Sequence, residues 1–305
     1  MRHFHYKRRR GFTVWELVCI IGVIALLFAL LMPALSKVKR VSTRVVCGTN
    51  LKGLGTAMAV YANDYGGWYP QLPGTGRWSR LLGFDYHMER PDLTPGGAQG
   101  STGRTITASW YLLVRETDVS PKSLICPETR QEAFGGRYLV YNKDVTEMWD
   151  FGAEPYKHVS YAMHLPYGRF PANANRSAAF ALAADMSPWF VNGDIVPPGQ
   201  NGEAPQLALD DYRSSSLSYG PGRRAANSSN HGGGEGWGGE GQNVLFADGH
   251  SSYQQRPDVG IARDGIYTYW PTDAPNEDDR RTGKNPATRD EDNDARSAED
   301  SFLAI

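Results

Sequence analysis

The sequence predicts an α+β protein in which one long N-terminal helix, apolar enough to cross a membrane, packs on an antiparallel β-sheet head with large loops. Two observations carry this. A tract of nineteen residues without a charge, Leu17–Leu35, runs on into a stripe of apolar positions as far as Asn63. Beyond it come short apolar runs separated by turn residues, in a chain that holds 34 Gly, 19 Pro, 8 Trp and 16 Tyr among 305 residues. That is the composition of short strands joined by many turns rather than of a helical bundle. At 40% hydrophobic and 11% aromatic the chain can bury a real core. Its formal net charge of −1 lacks the basic excess that neutralises a phosphate backbone, so no nucleic-acid partner is expected.

Residues 1–11 read as a basic leader. Lys7, Arg8, Arg9 and Arg10 are expected to hold the N-terminus on the cytoplasmic side and send the rest of the chain outward, although Lys37, Lys39, Arg40 and Arg44 charge the other flank too. Without residues 1–11 the chain keeps 27 basic against 33 acidic side chains and becomes mildly acidic. Residues 12–35 read as a transmembrane helix, since the uncharged tract covers most of a hydrocarbon core. It is too long for an ordinary secretory signal, and basic residues come after it where a small-residue cleavage site would stand.

Residues 36–66 continue the helix outside the membrane. Val38, Val41, Val45, Leu51, Leu54, Met58 and Tyr61, spaced largely by three or four, make one stripe that can face a sheet. Pro33 removes a backbone donor and is expected to kink the rod, while Gly48, Gly53 and Gly55 weaken its middle. Asp64-Tyr65-Gly66-Gly67 is the stop signal.

Residues 67–272 form the globular α+β head. Within it, 71–109 read as a loop or insertion and Trp110–Val114 as a short helix or strand. Strands are expected at Arg137–Tyr141, His158–His164, Ala178–Ala184, Val244–Ala247 and Gly265–Trp270, each bounded by turn residues. Residues 273–305, with almost no apolar side chains up to 301, read as a polar, disordered tail.

The junction of leader and helix carries a specific pattern: Gly11-Phe12-Thr13-Val14-Trp15-Glu16, then Pro33. An intramembrane carboxylate is a functional hypothesis by default. The pattern resembles type IV pilins and type II secretion pseudopilins, whose basic leader ends in Gly, followed by Phe and a Glu at the fifth mature position. The resemblance implies a pilin-like fold and cleavage after Gly11 by a prepilin peptidase. That enzyme would also N-methylate Phe12. Glu16 of one subunit would then neutralise the Phe12 amine of its neighbour while the helices of other pilin-like subunits pack together. Such a buried pair specifies register more than it stabilises.

Cys47-Gly-Thr-Asn-Leu-Lys-Gly-Leu-Gly, Tyr61-Ala-Asn-Asp-Tyr-Gly-Gly-Trp-Tyr-Pro, Leu124-Ile-Cys-Pro, Ser160-Tyr-Ala-Met and Asn243-Val-Leu-Phe-Ala-Asp-Gly-His are similar to segments of the large pilin-like families of planctomycetes, which end in a His-X9-Asp-Gly motif. Here His231 stands seventeen residues before Asp248, across a longer glycine-rich loop. The implied role is a single-pass subunit of the cytoplasmic membrane with its head outside, in a secretion pseudopilus or pilus. A membrane-tethered glycan-binding or adhesion module with the same leader is the alternative. An anchored enzyme would need a catalytic constellation that the sequence does not display.

In the head, Asp248-Gly249-His250 follows an expected strand and is a favoured pair for a tight hairpin. The sharper reading gathers Asp248, His250 or His231 with Asp185 around a cation. Carboxylates with loop carbonyls suit Ca²⁺, the first choice, whereas imidazoles favour a transition metal. Cys19 lies in the apolar segment, so a disulfide would have to join Cys47 to Cys126. Closing that loop would be worth about 4 kcal/mol on the chain-entropy account. Gly232–Gly241 lacks the Lys-Ser/Thr ending of a phosphate cradle, and His158 with His164 reads as packing rather than a ligand pair. Ser214–Ser216 lacks the context of a nucleophile elbow.

Overall fold

A computed structural model describes residues 11–73, 78–79, 104–135, 144–191, 193–195, 226–232, 239–286 and 294–305. The expected strand at Arg137–Tyr141 and the serines at 214–216 lie outside these residues, as does most of the 71–109 insertion. The chain divides into two compact units, Met1–Ser42 and Thr43–Ile305.

In the first unit, helix α1 (Val14–Asp64) begins two residues after Phe12. Among the described residues it is the helix long and apolar enough to cross a membrane, and its apolar side chains from Val14 to Met32 are exposed. Pro33 sits inside the helix without ending it. Thr13 and Glu16 form a capping box at the helix start. The Glu16 N–H donates to Thr13 Oγ1 at 3.3 Å, and Glu16 Oε2 accepts from the Thr13 N–H at 2.8 Å. Two exposed backbone donors are thereby satisfied.

In the second unit, the last third of α1 lies on a five-stranded antiparallel sheet. Its strands are β1 (Tyr161–His164), β2 (Ala181–Asp185), β5 (Gln242–Phe246), β6 (Ser251–Gln254) and β7 (Leu303–Ala304), in the order β6-β5-β2-β1-β7. A two-residue ribbon, β3 (Phe190–Val191) with β4 (Asp194–Ile195), stands apart from that sheet in its pairing. Register places Tyr161 opposite Asp185 and Met163 opposite Ala183, and Ala183 opposite Leu245. Cross-strand partners share a face, and this face meets α1. The approach is close: a Cβ on Gly55 would lie 2.6 Å from Leu245 Cδ1, and one on Gly48 3.0 Å from Asn243 Oδ1. Two of the three glycines that weaken the helix by propensity, Gly48 and Gly55, are the ones that let it sit on β5, while Gly53 meets nothing within 4 Å. Cys47, Leu51, Leu54, Met58, Tyr61 and Ala62 are the buried stripe, and α1 stops at the Gly66-Gly67 turn, both at positive φ.

Trp110–Val114 belongs to helix α2 (Ile106–Glu116), whose residues from Ile106 to Val114 are all buried. Thr105 caps it by accepting from the Ala108 N–H. The fully buried Asp150 accepts from the hydroxyls of Thr105 (2.6 Å) and Thr107 (3.0 Å). Burial drives the Asp150 carboxyl up to about 7, against the pull of those donors.

Three expectations need correction. Gly265–Trp270 is not a strand. Its amides go to scattered partners instead of one ladder: the Thr268 N–H donates to Gly265 O in a turn, those of Gly265 and Ile266 to Arg280 O and Pro257 O, and Tyr269 makes an isolated bridge with Lys284. Tyr267 Oη donates to Asp185 O and Trp270 Nε1 to Asp264 Oδ1. His158 precedes β1 rather than lying in it, so it does not share a strand face with His164. Each imidazole is a packed group bonded to a carbonyl, His158 to Glu132 O and His164 to Phe170 O.

The described parts of 273–305 are not a disordered tail. Helix α3 (Glu277–Thr282) is capped by Asn276, and Phe302, Leu303, Ala304 and Ile305 are buried, with β7 pairing with β1. The polar composition misleads because its carboxylates work inward. Asp300 accepts from the N–H groups of Trp270 and Arg296, and Asp294 from that of Arg169.

Phe302→Ala is therefore expected to lower unfolding stability by about 3–5 kcal/mol, as a buried ring would. A change within about 0.5 kcal/mol, normal for a solvated residue, would restore the tail reading. Asp150 carries a pH signature. The folded chain keeps a proton that the unfolded one releases from 3.8 upward, so stability falls as pH rises from about 4 to about 7. Denaturation of the wild type and Asp150→Asn across that window should show the variant gaining relative stability with rising pH.

Candidate metal centre

Four ionisable side chains from four separate segments meet under the last third of α1. Cys47 comes from the helix itself. Cys126 follows the short 3-10 turn Pro121–Leu124. Asp185 ends β2, and His231 closes the 226–232 segment ahead of β5. All four are fully buried, at 0% exposure, and one ligand atom from each lies within 4.8 Å of the others.

Asp185 is the hub. Its Oδ2 accepts from the Asn243 main-chain N–H at 2.6 Å and lies 3.3 Å from Asn243 Nδ2. Its Oδ1 accepts from Cys47 Sγ at 2.9 Å and from Asn230 Nδ2 at 3.3 Å. Cys47 Sγ also stands 3.3 Å from Tyr161 Oη, to which Asn50 Nδ2 donates.

His231 is gripped on both sides. Nδ1 is 2.5 Å from Glu128 Oε2. Nε2 lies 3.2 Å from Asp185 Oδ2 and 3.8 Å from Cys126 Sγ. With Glu128 taking the Nδ1 proton, the Nε2 lone pair faces Asp185 Oδ2 and lies 3.2 Å from Asn243 Nδ2, so that amide, a second proton or a cation can meet it. Burial alone would depress the His231 imidazolium, but hydrogen bonds and charge from Asp185 and Cys126 outweigh it and carry it up to about 11. The Cys47 hydrogen bond and His231 lower the Cys126 thiol against its burial. Burial raises that of Cys47, reinforced by Cys126 and Asp185. The pattern is that of an acidic thiol beside an imidazolium, yet Cys126 is sealed from solvent and no substrate can reach its sulfur in this conformation.

The loop carrying His231 is fastened at its base. His231 bridges Gly241 across antiparallel backbone, the Glu240 N–H donates to His231 O at 2.8 Å, and Asn227 Nδ2 donates to Gly239 O at 3.3 Å. A Cβ on Gly239 would lie 2.1 Å from Ser228 O, so only glycine fits there. Glu240 pairs with Arg44 of α1, whose guanidinium also covers the Tyr253 ring at 4.7 Å. With 231 and 241 held together, the long spacing between His231 and Asp248 does not displace the imidazole.

The site differs from the expected one. Asp185 and His231 come together, and Asp248 and His250 do not join them. They sit at the exposed β5–β6 turn, where Asp248 Oδ1 binds His250 Nδ1 at 2.5 Å and Gly249 takes φ +82°. The hairpin reading of Asp-Gly describes them. Cys47 and Cys126 do converge, as free thiols, and they complete the group that Asp185 and His231 begin. The pairing of cysteines and the gathering of Asp185 with His231 are thus two aspects of one site. With two sulfurs in the donor set, calcium, a hard ion held by oxygens, is no longer the fitting cation. Glu128, Asn230 and Asn243 escape sequence reasoning. The Cys-Pro-Glu run places Glu128 close to a singled-out cysteine and Asn243 opens one of the singled-out segments, but nothing local marks Asn230.

At the start of the chain, Gly11, Phe12 and Thr13 are exposed and outside the helix, and Glu16 is occupied by its own capping box.

Asn230→Ala removes a donor to Asp185 and leaves Ser160 O without the Asn230 amide that donates to it at 2.8 Å. Chemical denaturation should show a loss of about 1–3 kcal/mol, and an unchanged midpoint would mean that Asp185 is held without it. Comparison with protein-family models, curated proteins and solved structures finds no match to this chain.

Proposed function

We propose that the chain is a pilin-like structural subunit, cut after Gly11 by a prepilin peptidase that also methylates Phe12, and anchored in the cytoplasmic membrane with its head outside. The observation that carries this reading is the continuity of α1: one helix from Val14 to Asp64 is lipid-compatible at its start and a packed core element at its end. A subunit built so presents an apolar rod to other rods and keeps its head attached without a linker.

The start of the rod supports the same reading. A peptidase needs extended, accessible backbone, and Gly11-Phe12-Thr13 is exposed and precedes the first helical residue. Cutting there would leave the capping box of Thr13 and Glu16 intact, because both residues fall in the mature chain. Glu16 then has two separable duties. Its oxygen caps the helix within the subunit, and its charge is free to meet the Phe12 amine of a neighbour in an apolar bundle, where an unpaired carboxylate is costly.

Mass spectrometry of membrane-extracted protein is expected to find N-methyl-Phe12 as the first residue, and an N-terminus at Met1 or after Ala34 would sink the reading. For assembly, Glu16→Gln retains an acceptor for the cap and loses only the charge. It should stay in the membrane and be processed, yet enter filaments at least about tenfold less than wild type, the effect of roughly 1.4 kcal/mol of lost pairing. Normal assembly of Glu16→Gln would leave the helix cap as the sole role of Glu16. A processed, membrane-held chain that never forms filaments would favour the tethered binding module.

A further inference from the structure

We propose that Cys47, Cys126, Asp185 and His231 hold one zinc ion in a closed site that fastens the head to its helix. Donor type, donor geometry, the surrounding hydrogen bonds and burial all bear on it, and none of these depends on how the chain is processed or assembled.

Donor type comes first. Two sulfurs, an imidazole and one carboxylate form the mixed soft and borderline set that selects zinc over calcium or magnesium. Geometry agrees. With zinc bonds of about 2.0–2.3 Å, the donors of a tetrahedral site stand about 3.3–3.8 Å apart. Here Nε2 of His231 is 3.2 Å from Asp185 Oδ2 and 3.8 Å from Cys126 Sγ, and one ligand atom from each of the four residues lies within 4.8 Å of the others, so the donors draw in by at most about 1 Å to receive the ion.

The outer groups are those that a zinc site uses. Glu128 fixes the His231 ring through Nδ1, which turns the Nε2 lone pair inward, and this carboxylate–imidazole arrangement is the common support of a zinc-bound histidine. Asn243 and Asn230 hold the Asp185 carboxylate, and Tyr161 faces Cys47 Sγ. Protons on the two sulfurs and on His231 Nε2 leave to solvent as the ion enters, and no redox change accompanies binding.

Burial decides the kind of site. All four residues are sealed, and four protein donors fill a tetrahedron, so the ion would be structural, with no open position for water or substrate. A Cys47–Cys126 disulfide is the rival use of the same thiols in an oxidising compartment. It would leave the Asp185 carboxylate and His231 Nε2 facing each other in the core with the Cys47 donor gone. The zinc satisfies all four at once.

The test uses the full-length chain, purified in detergent without chelator. Elemental analysis should find about one zinc per chain. Glu128→Gln should weaken zinc binding about 10–100-fold, while His250→Gln should leave it unchanged. Cys47→Ser and His231→Gln should abolish it. Should those variants fail to fold, the wild type gives the same answer. Stripping zinc with a chelator should lower Tm and open both buried thiols to alkylation, and cobalt(II) should restore protection with the visible spectrum of tetrahedral thiolate coordination. The proposal is overturned by zinc below about 0.1 per chain in both purified and zinc-supplemented protein. An intact mass showing Cys47 joined to Cys126, or equal zinc content in His231→Gln, would overturn it too.

Discussion

A carboxylate that never meets water organises the head. Asp185 ends the central strand β2 at 0% exposure, and its two oxygens reach helix α1 through Cys47, strand β5 through the Asn243 amide, and the 226–232 segment through Asn230. Its main-chain carbonyl takes the Tyr267 hydroxyl as well. A buried charge is costly unless every lone pair is matched, so each of these elements has to be in place before the site is tolerable. That requirement ties helix, sheet and loops to a single arrangement more strictly than apolar packing, which accepts many near-equivalent solutions.

The sheet around Asp185 shows the same economy. β2 reads Ala-Leu-Ala-Ala-Asp, and its small side chains let α1 come close on one face. Gly48 and Gly55 on the helix complete the approach. Propensity is given up at these positions for proximity, and proximity is what brings Cys47 within reach of Asp185. Fold and site are therefore one construction: the helix cannot move away from β5 without withdrawing its sulfur.

How much of this can be read in the sequence depends on the range of each signal. The extent of helix α1 is legible, because an uncharged tract, apolar positions at helical spacing and a Gly-Gly stop are all local patterns. The expected sheet-facing stripe holds only from Leu51 to Tyr61, since Val38, Val41 and Val45 are exposed. The Asp248-Gly249 turn is legible for the same reason. Asp185 and His231 stand out together, and so do Cys47 and Cys126, but as two sites, because nothing local says that residues so far apart in sequence share one pocket. Gly265–Trp270 looks like a strand by composition, yet its rings are held one by one, Tyr267 by Asp185, Trp270 by Asp264 and Tyr269 against Phe302 of the C-terminal segment. The C-terminal residues mislead for a related reason. Aspartate counts as a solvated residue in composition, whereas Asp294 and Asp300 turn inward and bind backbone amides. The capping box at Thr13 and Glu16 is present in the letters but hidden behind the charge of the same glutamate, which suggests an intermolecular duty first.

The fastening of residues 227–232 to 239–241 has a consequence beyond geometry. Because the two ends are joined by main-chain contacts between His231 and residues 240–241 and by the Asn227 side chain on Gly239 O, residues inserted between them need displace neither the imidazole nor the sheet. Mutation can lengthen, shorten or recompose that stretch at little expense to the fold. Descendants of this chain thus have a stretch where novelty can be tried while the interior stays as it is.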